Sequence, residues 1–569
     1  MNPLDNQEML QVLRQTLTKK RVLIVDRHPP ARDSLRLMLG AIGVTAVHGA
    51  GSAAEVVRQA RSHRFDIILS DFVLDDGRDG QQLLEELRHA RLIPLATVYM
   101  IVTSERSFSN VVALAELTPD DYLVRPFTAE QMQIRLVKAI YKKHVLRKIY
   151  EQIERGALQE AIAACDQVME RESQYLYDAL RFKGELLQSL GRTDEAEAIY
   201  RQALEGRAAP WARMGLAAVL RDRGALEEAG KLAEEVLQET PNLLSAYDFL
   251  ATVHEARGDL AAAQEALEKG AKASPHNSMR QRQMGDVAAR NNDLLTAEKA
   301  YSKALARSKG SSLCAIDDFV NLSRVLVGRG DLAASRKLIS DMKRERRGDK
   351  QAELASLVAE SLCLTAEGTP DKAKDLVKLA LELQQEIEKE ADPWRQPPST
   401  RLAVDLAEAC YATGEATAGD RLMHQAAVEN HEDKHLLDQI NRAFEKTGQP
   451  DAGKALLEKV SREIIELNNR GVLAARDGDL TGSVQMLIKT AEKVPNLQFL
   501  VNAAKAIYTL MDRDGWDEEL AALAYGYLMR ARQKDRKSPR VISALELYGD
   551  VARKYDMPIE QPDARPVTS

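Results

Sequence analysis

Four polar side chains stand where apolar runs end. Asp26 closes "RVLIVD", Asp71 closes "FDIILSD", Thr103 closes "ATVYMIVT", and Arg125 follows "DYLV". Two carboxylates, a hydroxyl and a guanidinium form a set suited to handling charge. A carboxylate can attack phosphorus as a nucleophile when positive charge offsets what builds up on the transferring oxygens. Magnesium takes hard oxygen ligands, typically one or two carboxylates with waters and phosphate oxygens. Taken singly, Asp26 and Asp71 read as strand-end or helix-capping acids and Thr103 as an ordinary strand residue. Their meeting at the ends of different strands is what would make a site of them.

The elements that must bring them together are legible as short apolar runs at 21–26, 44–48, 65–71, 96–103 and 121–126, with helical patterns between them and after the last. That alternation marks a parallel sheet covered on both faces. The expectation is an α/β doubly wound domain with a five-stranded parallel sheet over 20–143, in which ligands bind beyond the carboxyl ends of the strands. Ahead of it, Met9, Leu10, Leu13 and Leu17 recur at helical spacing and predict an N-terminal helix over 1–19. Asp5 and Glu8 interrupt that segment, which argues against a secretory signal.

From about residue 145 the strand pattern stops and a repeat begins. Gly156, Gly191, Gly224, Gly258 and Asn292 follow one another at steps of 33 to 35 residues. Such a residue supplies the positive φ that ends one helix before the next. Ala161, Ala196, Ala229, Ala263 and Ala297 lie five positions later, and Gly184, Ala217, Ala251 and Gly285 seven positions earlier. Small residues on both helices let the pair approach closely. The pattern resembles the tetratricopeptide repeat, whose period is about 34 residues. Weaker copies turn at Gly330, Gly368, Gly414, Gly448 and Gly478, at steps of 30 to 46 residues. The Pro-rich stretch 389–400 reads as an inserted loop, Gly515 opens an atypical terminal unit, and 556–569 reads as a disordered tail. An all-α superhelix is expected over 144–555.

The segments "VLIVDRHPPAR", "IILSDFVLDDGRDG", "VYMIVTSE" and "DDYLVRPF", in that order and spacing, resemble the flavodoxin-like receiver domain of two-component response regulators. The resemblance implies that Asp71 accepts a phosphoryl group from a sensor histidine kinase or a phosphotransfer protein. It implies that Asp26, Asp71 and the Val73 backbone carbonyl hold magnesium, and that Thr103 and Arg125 contact the phosphoryl group. Thr103 and Tyr122 become the switch residues, and the Arg125–Pro126 bond is expected to be cis. Two departures weaken the metal site. Arg27 stands where the family has a second acid, and Arg125 replaces its lysine. Losing a carboxylate at ~5 to 6 Å forfeits roughly 3 kcal/mol per unit charge at an effective dielectric near 20. Magnesium binding is therefore expected to be weak or lost, with Asp75, Asp76 or Asp79 as loop acids that compensate. The alternative is a degenerate pseudo-receiver, in which Arg27 or Arg125 holds Asp71 in a fixed ion pair and the repeats serve as a scaffold independent of phosphorylation.

Between the two regions, 128–155 carries Met132, Leu136, Ile140, Leu146, Ile149, Tyr150 and Ile153 on one stripe, which predicts a nearly unbroken helix from receiver to repeats. The cluster Lys138, Lys142, Lys143, Arg147 and Lys148 reads as its solvated face. The repeats offer a concave groove for a protein or peptide ligand. Repeats that clamp a carboxyl terminus place Asn six residues before the turn, whereas this chain has Glu185, Ala218, Thr252, Asp286, Arg324, Leu362, Glu408, Arg442 and Val472 there. With 569 residues and a formal net charge of −7, the chain gives nucleic acid no broad reason to bind. No apolar run of about eighteen residues predicts membrane insertion. Cys165, Cys314, Cys363 and Cys410 are far apart and read as buried thiols of a cytoplasmic protein. The ten histidines are scattered, so no enzyme is expected.

Overall fold

The structure, a computed structural model, describes residues 15–74, 78–104, 119–206, 209–275, 277–311, 313–389, 399–446, 448–476, 480–535 and 538–557. The five strands are β1 (Val22–Val25), β2 (Val47–Ala50), β3 (Ile67–Asp71), β4 (Val98–Thr103) and β5 (Asp121–Val124). They form one parallel sheet in the order β2-β1-β3-β4-β5. β1, β3 and β4 are apolar along nearly their whole length because helices cover both faces. Val22, Ile24, Ile67, Leu69, Met100 and Val102 fill one face, and Leu23, Val25, Ile68, Tyr99 and Ile101 the other.

Among the described residues the helices around the sheet are α1 (Pro29–Ala41), α2 (Ala53–Ser62), α3 (Gly80–His89) and α4 (Ala129–Val145). The strand expected at 44–48 lies later in the chain, at Val47–Ala50. The preceding residues finish α1 instead. Gly43 takes a φ of 86°, and the Val44 N–H returns to Leu39 O at 2.9 Å, leaving the Val44 side chain buried against the helix. Of the expected N-terminal helix only its last turn is described, with Leu17 buried in the core; residues 1–14 and the tail 558–569 lie outside the described residues.

α4 does not run unbroken into the repeats. It ends at Val145, Leu146 takes φ −85° and ψ 3°, and α5 (Arg147–Arg155) starts at once. Hydrogen bonds still cross the junction, from Leu146 N–H to Lys142 O and from Tyr150 N–H to Leu146 O, both at 3.1 Å. Lys143 is not on a solvated face, which corrects that part of the basic-cluster reading. It is buried, with its ammonium 2.9 Å from Asp120, 2.7 Å from the Leu95 carbonyl and above the Tyr150 ring. Burial lowers its affinity for a proton and Asp120 opposes that shift.

From α5 onward the helices pair across the turn residues: α5 with α6 (Leu158–Arg171), α7 (Leu176–Ser189) with α8 (Thr193–Gly206), α9 (Pro210–Asp222) with α10 (Leu226–Glu239), α11 (Leu244–Ala256) with α12 (Leu260–Ala273), and α13 (Ser278–Arg290) with α14 (Leu294–Ser308). The turn residue Asn292 has a φ of 60°, the conformation that asparagine tolerates best among residues with a side chain. The small residues do what the repeat requires. Gly285 faces the Tyr301 ring so closely that an added Cβ would lie 2.6 Å from Cε1 and 2.9 Å from Cγ, and Gly184 faces Tyr200 in the same way.

The chain divides into two compact units, 1–315 and 316–569. The second is all helical where described, from Ile316–Gly328 to Pro539–Lys554. The Pro-rich segment separates helices Pro370–Lys389 and Thr400–Ala412, and most of it, like Gly478, lies outside the described residues. Asp405 is buried in this unit against Arg324, whose guanidinium is its counter-ion. All four cysteines are buried thiols outside any disulfide.

The Gly285–Tyr301 contact reverses an ordinary expectation. In a helix interior Gly→Ala is stabilising by roughly 1 kcal/mol from propensity alone. Here Gly285→Ala must displace a buried aromatic ring whose hydroxyl is tied to Asp286 at 2.6 Å, and it is expected to destabilise the protein by about 1 to 3 kcal/mol in urea titration. A midpoint that stays or rises would contradict the packing described.

Candidate functional site

Beyond the carboxyl ends of β1, β3, β4 and β5 the predicted side chains gather. Asp26 follows β1 and is fully buried. Neither of its oxygens is idle: Oδ1 accepts the His28 N–H at 2.9 Å, and Oδ2 lies 2.8 Å from Arg125 Nη2. Arg125 is placed for this by β5. Its backbone N–H donates to Thr103 O at 2.9 Å, and its peptide bond to Pro126 is cis. Arg27 does not reach the acids. It is exposed and donates from Nε to the His28 ring at 2.9 Å.

Asp71 ends β3 and is half-buried. Its Oδ1 accepts the Phe72 N–H at 2.8 Å, and no ion pair holds its carboxylate among the described residues. The fixed ion pair expected of a pseudo-receiver is therefore not formed at Asp71, because Arg125 is engaged by Asp26 and Arg27 by His28. Burial pushes the Asp71 carboxyl above the usual carboxylate range, and the nearby Asp26 pushes the same way. The Phe72 N–H, Arg125 and Arg27 oppose them.

Thr103 is buried at the end of β4. Tyr122 lies on β5, opposite Ile101 on β4, and packs against the core, with its hydroxyl buried and without a hydrogen-bond partner among the described residues. Burial pushes that phenol upward. Val73 is exposed and forms an isolated bridge with Asp79.

The donor set for magnesium can be judged from these contacts. Asp26 already has a cation, the Arg125 guanidinium, and the residue after it is Arg27 rather than a second acid. Among the described residues no three His, Cys, Asp or Glu side chains gather as a metal site. Asp75 and Asp76 lie outside the described residues. Asp79, proposed from sequence as a compensating ligand, has another role. It caps α3, accepting the Gln82 N–H at 2.8 Å while the Gln82 side chain accepts the Asp79 N–H, also at 2.8 Å. As arranged, the residues do not fit a divalent cation: Arg125 would first have to release Asp26.

Sequence reasoning missed how tightly α3 sits on the site. An added Cβ on Gly80 would lie 2.5 Å from the Asp71 carbonyl oxygen, and Gly80 N–H donates to Phe72 O at 2.8 Å. It also missed Tyr99, whose buried hydroxyl donates to Gly80 O at 2.6 Å, and Arg307 of α14, which pairs with Asp79. Asp79-x-x-Gln82 is a capping-box pattern and was legible. Nothing local to Arg307 identifies its partner.

Residues 22–137 match the family model described as response regulator receiver domain, and residues 183–243 and 250–312 match the tetratricopeptide repeat. The chain carries a receiver domain followed by tetratricopeptide repeats. Solved structures similar to it include a two-component response regulator from Clostridium difficile, at 20% identity over 22% of this chain and 97% of that one with a TM-score of 0.20. A tetratricopeptide repeat protein from Parabacteroides merdae matches at 13% identity over 53% of this chain and 98% of that one, with a TM-score of 0.32. A thermophilic repeat protein from Thermus thermophilus matches at 21% identity over 31% and 94%, with a TM-score of 0.23. A receiver joined to such repeats is a response-regulator-like signalling protein working through protein–protein contacts. Among the described residues no helix is long and apolar enough to cross a membrane.

The receiver's acids make its stability depend on pH in a defined direction. A carboxyl whose folded pKa is raised contributes stability below the ordinary Asp range and loses it as pH rises through the raised value. Asp71→Asn is therefore expected to raise the denaturation midpoint at pH 7, with the gain shrinking to nothing near pH 3. A variant less stable than the parent at pH 7 would contradict the environment described for Asp71. Arg125→Ala should act oppositely, costing about 2 to 3 kcal/mol at neutral pH because it leaves the Asp26 carboxylate buried without a counter-ion.

Proposed function

We propose that the protein is a response regulator of a two-component phosphorelay, in which Asp71 accepts a phosphoryl group and the repeats deliver the output as protein binding. The observation that carries this reading is that Asp71, alone of the two crevice acids, is free of any ion pair among the described residues and keeps an oxygen to spare. That oxygen forms a bond to phosphorus while the bond from phosphorus to the donor breaks, and the electron pair leaves with the donor. The product is an acyl phosphate on Asp71. The Arg125 guanidinium is near enough to bias the Asp71 proton and can offset charge on the transferred oxygens. Thr103 supplies a hydroxyl beside them, and Tyr122, with a hydroxyl seeking a partner, is the side chain able to answer a change there. Magnesium would have to displace the Arg125 guanidinium from Asp26 before it could be held here. The donor is a sensor histidine kinase or a phosphotransfer protein, and the repeats take a protein or peptide.

A second reading, a receiver that serves as a docking module for a constitutive scaffold, is favoured by the Arg125–Asp26 pair and Arg27. Intact-mass analysis after incubation with acetyl phosphate and magnesium separates the two. The first reading expects a phosphoryl mass on the full chain that Asp71→Ala abolishes. No added mass, with acetyl phosphate and with a purified sensor kinase alike, would leave the scaffold.

A further inference from the structure

Among the described residues the receiver is held to the repeats at two separated places. One is the junction with α4 and α5, where the Leu95 carbonyl takes the Lys143 ammonium and the Leu95 N–H donates to Glu154 at 2.5 Å. The other closes a loop of 228 residues in sequence. There the Arg307 guanidinium pairs with the Asp79 carboxylate, and the Gln82 side-chain amide donates to the Arg307 backbone carbonyl at 2.8 Å. Both receiver residues belong to the capping box that starts α3, so α14 grips the N-terminal turn of that helix and nothing else need move for the grip to be felt. The polar residues Gln81, Gln82 and Glu86 of α3 are buried together with its leucines, and Arg78 and Glu86 form a buried pair at 2.7 Å. A helix covered only by its own sheet would leave such a polar side in water.

A short path of backbone and hydrogen bonds joins this grip to Asp71. The path runs from Asp71 to Phe72, across the Gly80 N–H bond to Phe72 O, through Asp79, to Arg307. It passes through packed protein, where charges are screened far less than at a free surface. Asp79 is also the cap of α3, so the turn that Arg307 holds is the one whose first residue touches the Asp71 carbonyl.

We propose that the Asp79–Gln82–Arg307 contact is an intramolecular latch, a docking surface on the receiver for the chain's own α14, whose strength follows the charge on Asp71. Negative charge added at Asp71 raises the attraction of that loop for the Arg307 guanidinium and tightens the latch; charge removed there loosens it. This rests on the preceding reading only for the source of the added charge, a phosphoryl group. While latched, the start of α3 is closed to any other protein.

Hydrogen–deuterium exchange on the full chain, read over residues 80–89 and 294–308, tests this. Arg307→Ala is expected to speed exchange in both segments by roughly ten-fold, the loss of one charge-assisted contact, while residues 22–25 and 98–103 keep their protection. Arg307→Gln, which retains the side-chain stem, guards against a variant that fails to fold and is expected to act in the same direction. Unchanged exchange in these variants would overturn the latch whatever happens at Asp71. Wild-type protein carrying a phosphoryl mass from acetyl phosphate is expected to exchange more slowly over 80–89. A phosphorylated chain with unchanged or faster exchange there would overturn the coupling and leave the phosphoryl reading intact. Should no phosphoryl mass be gained, that reading fails by itself, and Asp71→Asn takes over the second arm: faster exchange over 80–89 supports the latch and its dependence on charge, and unchanged exchange overturns it.

Discussion

A carboxylate without access to water needs a cation, and in this receiver the cation is on the same chain. Asp26 is buried beyond β1 and Arg125 reaches it from beyond β5, so the two strands either side of the crevice are tied by one ion pair. Isolated, the buried charge would cost several kcal/mol; paired and given the His28 N–H as well, it is tolerated. The character of the site follows from this. Arg125 committed to Asp26 is Arg125 withheld from Asp71, which leaves one acid spoken for and the other available. The same commitment places a fixed positive group where a receiver would otherwise gather acids around a divalent ion.

The repeats are governed by a different constraint, contact distance. Helices meet closely only where one of them offers no side chain, and the aromatic rings of Tyr200 and Tyr301 fill the space that Gly184 and Gly285 leave. The junction with the receiver uses both kinds of interaction. Tyr150 stacks edge-on against Phe182 at 5.6 Å between ring centres, and Lys142 pairs with Asp178 at 2.6 Å, while Lys143 lies under the same surface as a buried cation with two oxygen partners. Apolar packing sets the approach, and the ion pairs set the register.

Much of this was legible from residue types. The strands announced themselves because a sheet covered on both faces needs nearly continuous apolar runs, and Asp26, Asp71, Thr103 and Arg125 were found together because strand ends in such a sheet face one crevice. The repeat was visible because its turn residue must take positive φ and its packing positions must be small. What failed did so for physical reasons. Val44 looked like a strand residue but packs under the end of α1, since an apolar side chain satisfies either role. Lys143 looked solvated because a lysine in a basic cluster usually is, and only the fold supplies Asp120 and the Leu95 carbonyl. Asp79 stands among loop acids that could ligate a metal, yet its spacing to Gln82 describes a helix cap. Arg307 carried no local signal, because its partner depends on where a helix many repeats later comes to rest.

That long closure has a bearing on competition. Because both halves of the contact belong to one polypeptide, they meet at an effective concentration on the order of millimolar, set by the tether rather than by expression level. A separate protein seeking the same turn of the receiver must therefore outbid a neighbour that never diffuses away. Dilution, which weakens every encounter between separate molecules, leaves this one untouched, and a chain cut short before Leu294 would present the surface to all comers.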